Sequence, residues 1–281
     1  MIKIITDSAS DLELDKARKD NIIVLPMTIQ FGETTYQDKI DLSAEDFYNK
    51  LIESDTLPTT SQINPYSFEE VFTEITENGD SAVAILMSSD LSGTYQSAVL
   101  AAQNFDNIYV VDSRSVTVGE QCLISLALTL RDLGLDASQI AEELEKQKNN
   151  IVVLALLDTL EYLKKGGRIS ATAALAGGLL SIKPVVTLSD GKVAILGKAR
   201  GSKNGNNMLM DEINKNGGVD FNKPIFLGYS GLSRALLDKY IEDSKYLWLG
   251  NTGNLPVIRI GSTIGTHVGP GTIALGFFKN S

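Results

Sequence analysis

The chain has 281 residues, of which 43% are hydrophobic and 21% charged; this excludes a disordered protein and suits one large or two ordinary domains. A net charge of −10 excludes a general nucleic-acid binder, which needs clustered Lys and Arg to neutralise phosphates. A single cysteine, Cys122, and a single histidine, His267, exclude an internal disulfide framework and argue against structural zinc.

Residues 3–6 read as a strand, 11–20 as a helix and 22–25 as a second strand. Residues 27–37 alternate polar and apolar, with Gly32-Glu33 at a hairpin turn, so a small hairpin extension is expected near 27–40. Ser43 opens a helix that runs to about residue 53, with Asp46 three residues on as a near capping box. Further helices are expected at 67–78, 93–104, 116–133 and 137–149, and strands at 82–87, 108–112 and 151–157. Strands separated by helices of this length imply βαβ units, hence a mostly parallel sheet with helices on both faces. The second half reads differently. A helix at 159–165 ends at Gly166-Gly167, a small-residue helix covers 170–180, and a hairpin of 184–188 and 193–197 turns at Asp190-Gly191. Helices at 205–216 and 233–244 and strands at 224–229, 245–249, 257–260 and 272–278 complete an α+β pattern. The expected fold is α/β with two domains, 1–158 and 159–281. No apolar run reaches the roughly 18 residues of a membrane-spanning helix, and residues 1–7 run straight into a strand without a signal-peptide layout, so a cytoplasmic protein is expected.

In an open parallel sheet, ligands bind beyond the carboxyl ends of the strands. Hydroxyls and carboxylates occupy such positions at Thr6-Asp7-Ser8, Ser88 to Thr94 and Asp112-Ser113, and Thr59-Thr60-Ser61-Gln62 is expected on a loop. Each is also an ordinary set of helix caps, which is the cheapest account of Asp7, Asp90 and Asp112. Ser92-Gly93-Thr94 is more specific: its glycine brings backbone N–H groups and two hydroxyls to a helix N-terminus, a seat for a carboxylate or phosphate. His267 stands in the glycine-rich stretch 261–271, which reads as one wall of a site. No P-loop occurs, and Gly269-Pro270-Gly271 mimics a dinucleotide fingerprint without its context. Between Glu161 and Lys203 eight basic residues face two acidic ones, a local charge of +6 that leaves −16 elsewhere; this is either a patch for an anionic ligand or partner, or a solvated surface. Residues 171–180 are uncharged and small, fit either for a buried helix or for packing an alkyl chain.

On these motifs the chain resembles the DegV family of bacterial fatty-acid-binding proteins, which includes the binding subunits of fatty acid kinase. The resemblance is carried by Thr6-Asp7-Ser8, Thr60-Ser61-Gln62, the run from Leu91 to Ala98, Asp112-Ser113, the run from Leu160 to Ser170, Lys183-Pro184, Arg200-Gly201 and the His267 to Gly271 tail. It implies a long-chain fatty acid buried between two domains and no cofactor or metal besides. The seat for the carboxylate would comprise the hydroxyls of Thr60 and Ser92 with Ser61, Gly93, Arg200 and His267 in or near the polar network. Arg168, with Lys164 and Lys165, would lie where a fatty acid kinase catalytic subunit docks. That partner would phosphorylate the bound carboxylate and so feed phospholipid synthesis, and transient contact with a membrane surface would fit the same role. The stretch 201–255 carries no matching motif. A buried carboxylate needs convergent donors, which two hydroxyls, the Gly93 backbone and His267 can supply. The resemblance makes the chain a carrier and not an enzyme; the competing readings are an acyl hydrolase using Ser92 and His267, and a lipid-responsive interaction protein.

Overall fold

Three sheets organise the described residues. In the computed structural model, which describes residues 1–170, 182–253 and 255–280, β1 (Ile2–Asp7), β2 (Ile22–Leu25), β6 (Ser81–Leu86) and β7 (Ile108–Asp112) pair in parallel in the order β2-β1-β6-β7. Alternate residues of each strand face opposite helix layers. Val83 and Ile85 join Leu123 of α5 (Thr117–Asp132) and Ile140 and Leu144 of α6 (Ala137–Gln147). Ala82 and Ala84 join Phe68 and Phe72 of α3 (Pro65–Glu77) and Ala98 of α4 (Thr94–Ala102). Phe68 and Phe72 are wholly buried, each contributing roughly 1.5–3 kcal/mol. The helices start where side chains can satisfy their free N–H groups: Ser43 caps α2 (Ala44–Glu53), Asn64 caps α3 ahead of Pro65, and Asp136 with Gln139 forms a capping box on α6.

The second sheet contains β8 (Ile151–Leu156), β9 (Ile182–Ser189), β10 (Lys192–Arg200), β11 (Ile225–Tyr229), β12 (Val257–Arg259) and β13 (Ile273–Phe278), in the order β10-β9-β8-β13-β11-β12. Only β11 and β12 run parallel. The expected strand at 151–157 therefore does not extend the parallel sheet. It pairs antiparallel with β9 and β13, because a short apolar run signals a strand without signalling its partner, and both partners here come later in the chain. Helix α5 lies between the two sheets, and Gly276 lets it approach: a Cβ there would stand 2.5 Å from the Val118 carbonyl oxygen.

A third, antiparallel sheet has the order β4-β3-β5, from β3 (Thr28–Phe31), β4 (Thr34–Gln37) and β5 (Thr59–Ser61). It confirms the hairpin near 27–40, but the loop expected at 59–62 is largely an edge strand. Ile29 packs there on Phe47, Tyr48 and Leu51 of α2. The expected strand at 245–249 is instead a short helix, Lys245–Trp248, in which Trp248 Nε1 donates to Ser244 Oγ and the indole packs edge-on to Tyr240 and Phe221. The Asp190-Gly191 turn holds, with φ of 50° and 80° as a tight hairpin requires. The glycine-rich stretch 261–271 contains a buried helix, Ser262–Val268, stopped by Gly269 at φ 69°. The small-residue helix expected at 170–180 lies, beyond Ser170, outside the described residues.

Candidate functional site

A narrow cavity opens beyond the carboxyl ends of the parallel strands. It is closed by the β9–β10 hairpin on one side and the Ser262–Val268 helix on another. Its volume is about 60 Å³, and it is lined by Met27, Thr60, Met87, Leu91, Ser92, Val116, Leu163, Arg168, Leu188, Val193, Thr263, Ile264, His267 and Val268. Nine of these fourteen are apolar, so the cavity favours an uncharged chain along most of its wall and a polar group where Thr60, Ser92, Arg168 and His267 come together.

The polar end is assembled from distant segments. Edge strand β5 presents Thr60, whose Oγ1 lies 2.9 Å from His267 Nε2. Ser92, in the loop between β6 and α4, has its Oγ 3.0 Å from Thr94 Oγ1 and also accepts the Thr94 N–H at 3.3 Å. Arg168 follows α7 (Glu161–Lys165); its Nε donates to Leu91 O at 3.1 Å and its Nη1 to Gly166 O at 2.6 Å. The guanidinium is thus locked across the gap between α7 and the Ser92 loop. Burial, and then the positive charge of Arg168, push the His267 imidazole down to a pKa of about 4. The ring is therefore neutral near pH 7, with at most one N–H to donate. Its Nδ1 is buried without a hydrogen-bond partner among the described residues, and Gly166 makes room for it: a Cβ at Gly166 would stand 2.2 Å from Nδ1.

The structure brings together Thr60, Ser92, Arg168 and His267. It does not bring in three other expected residues. Ser61 follows Thr60 along β5, so the strand's alternation turns it to the other side, where it is exposed. Gly93 begins α4 and does not line the cavity; its missing side chain admits Gln62, whose Oε1 would stand 2.1 Å from a Cβ. Arg200 is exposed at the end of β10, away from the lining. Lys164 and Lys165 are exposed on α7, while Lys183 and Lys192 of the same basic segment are paired with Asp158 and Asp90. No hydrogen bond joins Ser92 to His267 among the described residues: Ser92 Oγ and His267 Nε2 are each engaged with a threonine instead. The residues missed from sequence are mostly apolar. Met27 and Met87 follow the carboxyl ends of β2 and β6, where an open parallel sheet keeps its ligand, and that position was the available signal. Thr263, one helical turn before His267, carried a signal only once a helix was seen there.

The sequence pattern that defines the DegV family matches residues 1–280. A DegV domain-containing protein of Caldanaerobacter subterraneus is 34% identical over 273 residues, covering 96% of this chain and 95% of that protein. A DegV family protein from Thermus thermophilus, described as fatty acid binding, superposes with a TM-score of 0.89 at 31% identity, over 99% of both chains. A stearic-acid-binding protein from Eubacterium ventriosum superposes with a TM-score of 0.88 at 27% identity, over 99% of this chain and 98% of that one. No described helix is long and apolar enough to cross a membrane.

Proposed function

The chain belongs to the DegV family, and from that premise we propose that it binds a long-chain fatty acid, with the carboxylate at the Thr60, Ser92 and His267 end of the cavity and the alkyl tail along its apolar wall. The observation that carries this reading is a mainly apolar cavity in which Thr60 and His267 are in hydrogen-bond contact beside Arg168. The Thr60 and Ser92 hydroxyls can turn their hydrogens toward an anion, and each such charge-assisted bond contributes about 1.5–3 kcal/mol. An alkyl tail adds about 0.8 kcal/mol of gross affinity per buried methylene. At about 60 Å³ the cavity is smaller than the ~300–1,000 Å³ of most ligand pockets. Binding must therefore widen it, and Met27 and Met87, unbranched and rich in rotamers, are the lining residues best able to yield.

The polar end also suits presentation of the carboxylate to a second protein. Arg168 stands at that end, and Lys164 and Lys165 are exposed on the helix just before it. A kinase docking there would meet a carboxylate already flanked by positive charge, as acyl-phosphate formation requires. Native mass spectrometry of the purified protein, followed by analysis of the lipid released on denaturation, tests the binding reading. A stoichiometric long-chain fatty acid in the wild type, depleted in Thr60→Val, is the expected result. A wild-type protein that is empty and takes up no added fatty acid would refute it.

A further inference from the structure

The helix that carries His267 cannot place itself. Ser262–Val268 is seven residues long and contains Thr, Ile, Val and Gly, all weak helix formers, well under the roughly 12–15 residues at which even good sequences hold a helix in isolation. Its position is set by its contacts, and at its start those contacts are three buried side chains from the opposite end of the chain. Asp38, which follows β4, is 1% exposed. Its Oδ2 accepts the Thr263 hydroxyl at 2.6 Å and the Thr263 N–H at 3.3 Å. Asp11 is fully buried beyond β1, and its Oδ1 accepts the Gly261 N–H at 2.7 Å. Gly261 cannot retreat into a side chain of its own, because a Cβ would stand 2.7 Å from that same oxygen. Tyr48 Oη donates to Ile260 O at 3.0 Å, fixing the residue before.

Buried carboxylates are costly unless they are paired or hydrogen-bonded. Neither Asp11 nor Asp38 takes part in a salt bridge within 4 Å among the described residues, and each directs its bonded oxygen at this one helix. Four residues after Thr263, on the same helical face, comes His267; both line the cavity. A shift at Thr263 is therefore carried straight to the imidazole and to its 2.9 Å contact with Thr60.

We infer that Asp38 and Asp11 are positioning residues for the polar end of the cavity: they fix where the Ser262–Val268 helix begins and so hold His267 in register with Thr60. The placement stands on the geometry alone, and its consequence for lipid binding rests on the proposed function. Among the described residues, the groups that face His267 include Thr60, Gly166 and Arg168, and Arg168 is the charged group that acts on it. A ring that leaves this buried place loses both influences that keep it neutral.

His267 is the only histidine in the chain, so its Cε1–H proton gives one NMR signal that can be titrated in the ligand-free protein. In the wild type its midpoint should be near 4. In Asp38→Ala the midpoint should rise by about one pH unit or more toward the ordinary 6.5, and fatty-acid affinity should fall about tenfold. Asp38→Asn keeps an acceptor for Thr263, so its midpoint should stay near the wild-type value. Ile140→Ala, in the core beneath α6, should lower Tm with no change at His267. If Asp38→Ala does not fold, Thr263→Val, which removes only the 2.6 Å bond, is read by the same signal. An unmoved midpoint in whichever of these variants folds would overturn the inference, as would an equal shift in Ile140→Ala. Failure of the wild type to bind fatty acid refutes the proposed function and leaves the His267 midpoints to decide this inference.

Discussion

The sharpest test of the polar end is a single methyl group at Gly166. This glycine ends α7 at φ −75° and ψ −5°, a conformation any residue adopts. Alanine there carries no backbone strain and should gain about 0.5–1 kcal/mol from lower chain entropy. The whole penalty is steric. A Cβ would stand 2.2 Å from His267 Nδ1, 2.9 Å from its Cε1 and 3.1 Å from Tyr162 O. Relief to an ordinary contact of about 3.5 Å moves the ring by more than an ångström, enough to break a 2.9 Å hydrogen bond to Thr60. Overpacking of this kind costs about 1–3 kcal/mol, so net stability should fall by about 0–2.5 kcal/mol. Loss of the Thr60–His267 bond, worth about 0.5–1.5 kcal/mol, should weaken fatty-acid binding about 2- to 12-fold. Gly167→Ala supplies the converse. Its φ is 70° with nothing within 4 Å, so it should lose about 1–2 kcal/mol of stability while its affinity stays that of the wild type. Thermal melts and fluorescent fatty-acid displacement on both variants measure the two effects. The reasoning is refuted if Gly166→Ala binds as the wild type does, or if Gly167→Ala loses as much affinity as Gly166→Ala.

Stability should fall as pH rises from 5 to 8. Burial raises Asp7 and Asp11 to about 7 from an ordinary 3.8, so the unfolded chain releases protons that the folded one keeps, and over this window each aspartate costs about 2.7 kcal/mol at 1.36 kcal/mol per unit. Glu120, raised by burial and by Asp7, acts in the same direction. His267, lowered to about 4, acts oppositely: its stability is complete above 6.5 and lost as pH falls, returning about 2 kcal/mol over pH 5 to 6.5. A Tm that climbs between pH 5 and 8 would contradict this balance. Ser92→Ala should weaken fatty-acid binding and also lower stability by about 0.5–2 kcal/mol, because Ser92 accepts the Thr94 N–H at the start of α4; a melt identical to wild type would show that the capping bond is dispensable.

What the sequence discloses and what it conceals divide along the range of the interactions. Ser43 three residues before Asp46, or Asp190-Gly191 between two apolar runs, announce a cap and a turn because every atom involved lies within a few residues. Thr60, Ser92, Arg168 and His267 were identified from spelling, yet their meeting depends on separations such as the 207 residues between Thr60 and His267. No local period encodes such a contact. The same limit explains β8, whose apolar run was plain and whose partners β9 and β13 were not. It also explains residues 245–249, where Trp248 reaching Ser244 and packing edge-on to Tyr240 overrides a strand-like composition. Thr6-Asp7-Ser8 shows the limit most clearly. As a local motif it reads as a helix cap, and Asp7 does accept the Ala9 N–H as a cap would. Yet its other oxygen accepts the N–H of Met87, and Ser8 Oγ that of Met27, two residues of the cavity wall. The cap and the wall are one set of hydrogen bonds, so a short polar turn after β1 fixes both the 3-10 turn Ser8–Ser10 and the backbone of the two methionines that line the cavity.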